Sequence, residues 1–331
     1  MKLNTKPLLE NLKETGKGVM PLVNVQEDLY FKKAFNVNSW FAIGHFEAQG
    51  HKLDYLFHLM VYHLPNQPAL LNSCFSITDE TTGWYCGEDK MIPLSEGEIS
   101  ESQFDIKTPH GRMWGDLNRI NIQAAMPSGE INVTLAPVGY ALYNGGTGYF
   151  PLLGMNVYQY SIPRLITNGT LTIEGRSYDV NGFSWFDRQW EMKNGDLMGR
   201  WSWMDLNLDC GDVISLWGSV DAARGEETAW ATILHPDGTQ TVTVVEPLSR
   251  GESDYWESKK SGRKYPTHWV VKIPAFDACL EVTPFPREQE IVSEFPMLHK
   301  YEGASSVKGI YKGTEITGYC YVELVARWYN Y

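Results

Sequence analysis

At 331 residues and 43% hydrophobic content, the chain is long enough for two domains with substantial cores. Forty acidic residues against 28 basic ones leave a formal charge of −12, and an acidic surface repels phosphate backbones, so nucleic acid is not an expected partner. Aromatic residues reach 13%, with 12 Trp and 18 Tyr, a supply that suits strands and pockets for flat or greasy ligands.

Residues 1–30 read as a lead-in, with one short helix near Pro7–Thr15 and no apolar run fit to be a signal peptide. From Ser39 onward the signals are β. Trp40-Phe41-Ala42-Ile43-Gly44-His45-Phe46 is an aromatic strand, and Glu130 to Leu135 alternates with Ile131, Val133 and Leu135 on one face. Turn clusters recur at Asp79–Gly83, Pro127–Gly129, Asn144–Gly148 and Pro236–Gly238. The glycines of Asn144–Gly148 have no following helix and no Gly-Lys-Ser/Thr, so they do not read as a phosphate loop. Leu171 to Val180 forms a hairpin around Gly175-Arg176, near an expected junction between two similar halves at residues 165–180. The second half opens on Trp201-Ser202-Trp203-Met204-Asp205-Leu206 and closes on a hairpin turning at Lys312-Gly313. A basic cluster, Lys259-Lys260 with Arg263-Lys264, lies in a polar Ser/Gly stretch and reads as a solvated loop. Many short strands at such spacing suggest barrels or sandwiches.

No window approaches the roughly 20 apolar residues that cross a bilayer. Cys74, Cys86, Cys210, Cys279 and Cys320 are odd in number, widely spaced and without a CxxC pair, so free thiols and a cytoplasmic location are expected.

The most informative segment is Tyr158 to Glu191. It places Trp185, Asp187, Arg188 and Trp190 within six residues. A carboxylate seeks water and an indole avoids it, so such a strand either satisfies the acid internally or lines a cavity. One reading is a buried salt bridge of Asp187 with Arg188 or another base; the other is a site for chemistry on an apolar molecule. In a regular strand Trp185 and Asp187 share one face, and Arg188 and Trp190 the other. By the same parity Trp201, Trp203 and Asp205 share a face, as do Tyr319, Tyr321 and Glu323. The eight histidines show no metal-ligand spacing, and no metal site is expected. His58 and His63 lie an odd number apart, and His45 shares a face with Phe41 and Ile43.

The run Gly182-Phe183-Ser184-Trp185-Phe186-Asp187-Arg188-Gln189-Trp190-Glu191 resembles the G-x-x-W-x-D-x-x-W-G/S signature of the lipocalin-like family of carotenoid 1,2-hydratase and the AttH proteins. Tyr160-Ser161-Ile162-Pro163-Arg164 with Gly169 resembles the preceding Y-S-x-P-R…G element, and Trp40 through Gly44 the opening W-Y-x-x-G strand. Tyr301-Glu302-Gly303-Ala304 with Gly309, Gly313, Gly318, Tyr319 and Glu323 resembles the closing pattern. The resemblance runs from about residue 38 to 325. It implies an all-β fold of two consecutive lipocalin-like antiparallel β-barrel domains, at residues 31–175 and 176–331, after a lead-in at 1–30, with a ligand cavity in or between them. It also implies hydrophobic, unsaturated small-molecule substrates and no metal or redox cofactor. The implied activities are hydration of a C=C bond or Diels–Alderase-like cyclisation of an isoprenoid or polyketide polyene. Arg188 stands where carotenoid hydratases carry histidine, and arginine stays protonated near neutral pH. The downstream Tyr-x-Asp has no equivalent, the strand reading Ile214-Ser215-Leu216-Trp217. This departure looks more like the AttH branch, with the Diels–Alderase branch also open.

The catalytic candidates are Asp187, Arg188, Asp205 and Glu302. In a hydration one neutral carboxyl protonates an alkene and indole faces stabilise the cation; in a cyclisation Arg188 or a tyrosine polarises a carbonyl. Asp205 beside two indoles has either a desolvated, protonated carboxyl or a solvated place at a strand end. The substrate-binding candidates are Trp40, Tyr160, Trp185, Trp190, Trp201, Trp203, Tyr319 and Glu323. The rival class is a carrier that binds a hydrophobic molecule unchanged. The sequence sets no oligomeric state.

Overall fold

The computed structural model describes residues 3–12, 19–63, 66–193 and 199–326. They form two compact units, one of residues 4–151 with 155–194, the other of residues 1–3 and 152–154 with 195–331. Each is built on an antiparallel sheet curled into a half-barrel, and the one α-helix among the described residues is α1 (Leu8–Asn11) in the lead-in. The all-β, lipocalin-like expectation holds. The expected helix began where it was placed; residues 13–15 of that expectation lie outside the described residues. No helix among the described residues is long and apolar enough to cross a membrane.

The first unit opens with a meander, β1 (Val37–Ala48), β2 (His51–Tyr62), β3 (Leu70–Asp79) and β4 (Trp84–Pro93). A second run follows: β5 (Glu98–Ile99), β6 (Phe104–Lys107), β7 (Gly111–Asp116), β8 (Arg119–Met126) and β9 (Gly129–Pro137). After the short β10 (Leu142–Tyr143) and β11 (Tyr149–Leu152) come two long strands, β12 (Met155–Ile173) and β13 (Arg176–Lys193). β13 inserts between β1 and β12 and joins the two runs, giving the order β4-β3-β2-β1-β13-β12-β9-β8-β7-β6-β5. The boundary expected at residue 175 therefore falls on a hairpin turn inside one sheet, and the compact units divide near residue 195 instead.

The second unit repeats this wiring. Its meander is β14 (Gly199–Leu208), β15 (Val213–Asp221), β16 (Glu226–Leu234) and β17 (Gln240–Val244). Then come β18 (Glu252–Ser253), β19 (Trp256–Glu257), β20 (Lys264–Tyr265), β21 (His268–Ile273), β22 (Ala278–Pro284) and β23 (Glu290–Ile291). The closing hairpin is β24 (Lys300–Tyr311) and β25 (Thr314–Ala326). β25 inserts between β14 and β24, as β13 does between β1 and β12, in the order β17-β16-β15-β14-β25-β24-β22-β21-β18. The two halves glimpsed in the aromatic strands are thus a repeat of topology. Two glycines mark it locally. Gly169 and Gly309 have φ of +153° and +151°, and a Cβ on them would meet the carbonyl oxygens of Asn132 and Cys279, each at 2.1 Å. Only glycine lets the neighbouring strand come that close.

Burial shows which strands do more than close a core. β8, β9, β21 and β22 alternate buried and exposed residues, so one face packs and the other meets water. β2, β3, β14 and β15 are buried along most of their length, on both faces. β24 is buried at Lys300 to Ser305 and alternates beyond, and β13 is buried from Ser184 to Arg188.

The lead-in is fastened to the first sheet by its core face. Trp40 Nε1 donates to the Leu29 carbonyl at 2.8 Å, and the Tyr160 hydroxyl to the Val25 carbonyl at 3.0 Å. Arg188, fully buried, sends Nε to Asp28 O, Nη1 to Ser39 O and Gln189 O, and Nη2 to Tyr30 O and Asn38 Oδ1, at 2.5–3.3 Å. Its guanidinium lies 4.4 Å from the Trp40 ring and 5.0 Å from the Trp190 ring. Burial pulls its pKa down to about 9, with Tyr160 and Asp28 opposing, so it stays charged at neutral pH.

Two stability measurements check this account. Gly309→Ala forces a Cβ against backbone and is expected to cost about 2–4 kcal/mol by thermal melting. Arg188→Met strands buried carbonyls and is expected to cost about 3–5 kcal/mol in urea unfolding.

Candidate functional site

In each unit, one face of the doubly buried strands makes the apolar core and the other carries aromatic and polar groups together. In the first unit the core face holds Trp40, Phe57, Phe75, Tyr160, Phe186 and Trp190. Four expected site residues, Trp40, Tyr160, Arg188 and Trp190, lie there. Their neighbours are the lead-in and one another, with Trp190 also stacked on Tyr158 at 5.6 Å between centroids. All five N–H groups of Arg188 go to protein acceptors, so none is left to polarise a substrate carbonyl. Burial lifts the Tyr160 phenol far above its ordinary range, so it stays protonated.

Trp185 and Asp187 face the opposite way, as strand parity required; β13 runs in unbroken register with β1 from Gly182 to Glu191. Asp187 and Arg188 therefore do not form the salt bridge weighed from the sequence. Asp187 is 4% exposed and accepts from Trp185 Nε1 at 2.7 Å and from Gln159 Nε2 at 3.0 Å. Its neighbours across the ladder on that face are Ser161, Phe41 and, beyond Phe41, His58. His58 Nε2 lies 2.7 Å from Ser39 Oγ, so this histidine is a bonded interior residue.

In the second unit the core face holds Met204, Leu206, Leu216, Trp269, Tyr301, Val322 and Leu324. The opposite face carries one cross-strand row running Trp230, Trp217, Trp203, Glu323, Glu302 over β16, β15, β14, β25 and β24. Directly opposed residues project from the same side of a sheet, so three indoles lead up to two carboxyls. Trp203 and Trp217 are each 2% exposed, and Trp203 Nε1 donates to Ser215 Oγ at 2.9 Å. Glu302 has no exposed surface, while the Glu323 side chain keeps 13%.

Lys300, two residues before Glu302 on the same face, supplies the counter-charge. Its Nζ is 2.7 Å from Glu302 Oε1 and 3.8 Å from Glu323 Oε1. Burial pushes the Glu302 carboxyl well above its usual range; Lys300 pulls it down and Glu323, charged and hydrogen-bonding, pushes it up again. One ammonium beside two carboxyls favours a retained proton on Glu302, the more deeply buried of the two. The strand is fixed here by Gln289, whose amide bonds both ways with the Ala304 backbone, while the Glu302 amide donates to the Gln289 carbonyl.

Asp205 lies on the same face, but its carboxylate mends the ladder. Its Oδ1 accepts the Tyr321 amide and its Oδ2 accepts Asn207 Nδ2 at 2.8 Å, where the β14–β25 pairing skips. It is fully buried, which removes the solvated strand-end reading. Trp201 and Tyr319 share this face and are half-buried. Lys300, Trp217 and Trp230 were missed as site residues. Lys300 stood in plain parity with Glu302, and the two tryptophans become visible only through cross-strand register.

Comparison with known proteins agrees with this architecture. The dehydratase asqC of Emericella nidulans is 30% identical over 218 residues, which is 62% of this chain and 61% of that relative's length. Kievitone hydratase of Fusarium solani subsp. phaseoli is 23% identical over 246 residues, 72% of this chain and 69% of the relative. The solved kievitone hydratase from Nectria haematococca shares the fold at a TM-score of 0.83 and 20% identity, covering 99% of each chain. CghA shares it at a TM-score of 0.60 and 11% identity, over 99% of this chain and 98% of that one. A family model described as AttH-like matches residues 20–327, and the chain belongs to that family.

Proposed function

We propose that the protein is a cofactor-independent enzyme that adds water to, or removes it from, a hydrophobic unsaturated small molecule of isoprenoid or polyketide type. The observation that carries this reading is the Glu302–Glu323 pair, a fully buried and a partly exposed carboxyl opposed across the ladder with one ammonium beside them and a row of indoles leading to them. The names of the dehydratase and hydratase relatives support it. The five cysteines are unpaired thiols, which supports a reducing, cytoplasmic setting.

In the hydration direction the pair gives its proton to one alkene carbon, and the adjacent carbon becomes a cation. The π faces of Trp203 and its neighbours stabilise that charge in a dry setting. Water attacks the cation, and the pair, now doubly ionised beside Lys300, takes the proton that the water sheds. The substrate carries away an added hydroxyl and hydrogen, and the pair regains its single proton. Glu323 is the member that meets substrate, because it keeps exposed surface; Glu302 is its buried partner. Dehydration retraces these steps. Cyclisation of a polyene in the same aromatic setting is the neighbouring activity, and the saturated guanidinium of Arg188 removes the hydrogen bond that most favoured it.

Glu302→Gln and Glu323→Gln are each expected to lower turnover by about 10²–10⁴ with the fold intact. The assay follows heavy-oxygen water into prenylated phenols and conjugated polyenes by mass spectrometry, with circular dichroism as the folding control. The acid must be protonated to act, so activity is expected to fall as pH rises through the raised value of Glu302. Full activity in both variants would sink the assignment. Ligand bound and returned unchanged, with equal affinity in wild type and variants, would make the protein a carrier.

A further inference from the structure

The first sheet holds a cluster that this chemistry does not use, at the end where β1 turns into β2. His45 on β1 and Asp54 on β2 are directly opposed, and His45 Nδ1 lies 2.6 Å from Asp54 Oδ1. Asp54 is 2% exposed, and among the described residues no N–H or hydroxyl group donates to its Oδ2. The group that does reach Asp54 is another acid: the half-buried Glu80 carboxyl hydrogen-bonds it. Two ionised carboxylates offer each other no donor, so this contact exists only while the two share a proton.

Glu80 is the first residue after β3, in the turn that leads to β4. That turn is tied to the start of β2: the Glu80 amide donates to Lys52 O at 2.9 Å, and the Lys52 amide to Thr81 Oγ1 at 2.9 Å. The other ionisable groups on this face are Glu47 of β1, opposite Lys52 of β2, and Tyr85 of β4, opposite Thr78; β13 sets Phe183 beside His45. Burial raises the Glu80 pKa to about 7, the Asp54 charge pushes it the same way, and His45 and Lys52 oppose. We propose that Asp54 and Glu80 form a proton-dependent latch on the β3–β4 turn, closed while they share a proton and released when it leaves. A carboxyl whose pKa is raised by folding favours the closed turn most below its ordinary range, and that preference is lost as pH rises through neutrality. The latch does not rest on the role of Glu302 and Glu323.

Hydrogen exchange of the full chain, read by NMR as protection factors, tests the latch. The Glu80 and Lys52 amides, which tie the turn to β2, are expected to lose about tenfold in protection between about pH 5.5 and about pH 8.5. Glu80→Gln keeps a donor to Asp54 that does not titrate in this range, so its protection is expected to stay level. Wild-type protection that is level across the range overturns the latch. So does a fall retained in the variant, which would place the titration on His45. Should the variant fail to fold, the chemical shift of the Glu80 carboxyl carbon in the wild type decides. A midpoint near neutrality, with both amides losing protection over the same range, supports the latch; a midpoint at the ordinary carboxylate value overturns it.

Discussion

One ammonium group set against two carboxyls inside a sheet is the constraint on which this account turns. Lys300, Glu302 and Glu323 cannot all be charged without leaving one carboxylate uncompensated among them, and Glu302 has no exposed surface. The arrangement exists because the β24–β25 hairpin turns at Lys312-Gly313 and opposes residue 302 to residue 323 in continuous register. A slip of one residue would turn one carboxyl into the core and the other away from it. The same register brings Trp203 beside Glu323 on β14. Backbone pairing over five strands thus assembles an acid and its aromatic approach from residues more than a hundred positions apart.

The repeat makes the second unit's chemistry easier to see, because the first unit lacks it. By topology the row Glu302, Glu323, Trp203, Trp217, Trp230 corresponds to Ser161, Asp187, Phe41, His58, Cys74. Tyr301 and Tyr160 match too, each sending its hydroxyl to a backbone carbonyl of an earlier loop. One unit carries two carboxyls with a lysine; the other carries a single carboxylate held by two N–H donors. In the proposed reaction the first arrangement supplies a proton; the second is a carboxyl bonded to Trp185 and Gln159.

Much of this was legible in the sequence, for local reasons. Alternation in Glu130 to Leu135, the turn at Gly175 and the parity of Trp185 with Asp187 depend on near neighbours, and all stand in the structure. What was hidden depends on distant partners. Trp and Tyr are at home in a core and in a binding face alike, so nothing local separated Trp40 and Trp190 from Trp203. Arg188 looked like a site residue until five acceptors appeared around it, two of them in the lead-in, about 160 positions away. The Gly175 turn signals a hairpin equally well within a domain or between two, and only the pairing of β13 with β1 shows which. Asp205 was read as an acid or a solvated end, whereas its carboxylate replaces a missing ladder bond.

The central claim is that the Glu302–Glu323 pair holds one proton at neutral pH. Infrared difference spectra of wild type minus Glu302→Gln, and of wild type minus Glu323→Gln, address it without any substrate. Each is expected to show the carbonyl stretch of a protonated carboxylic acid in the wild type, lost in the variant, because the remaining carboxylate then pairs with Lys300. A wild type with no such band in either difference spectrum would contradict the account.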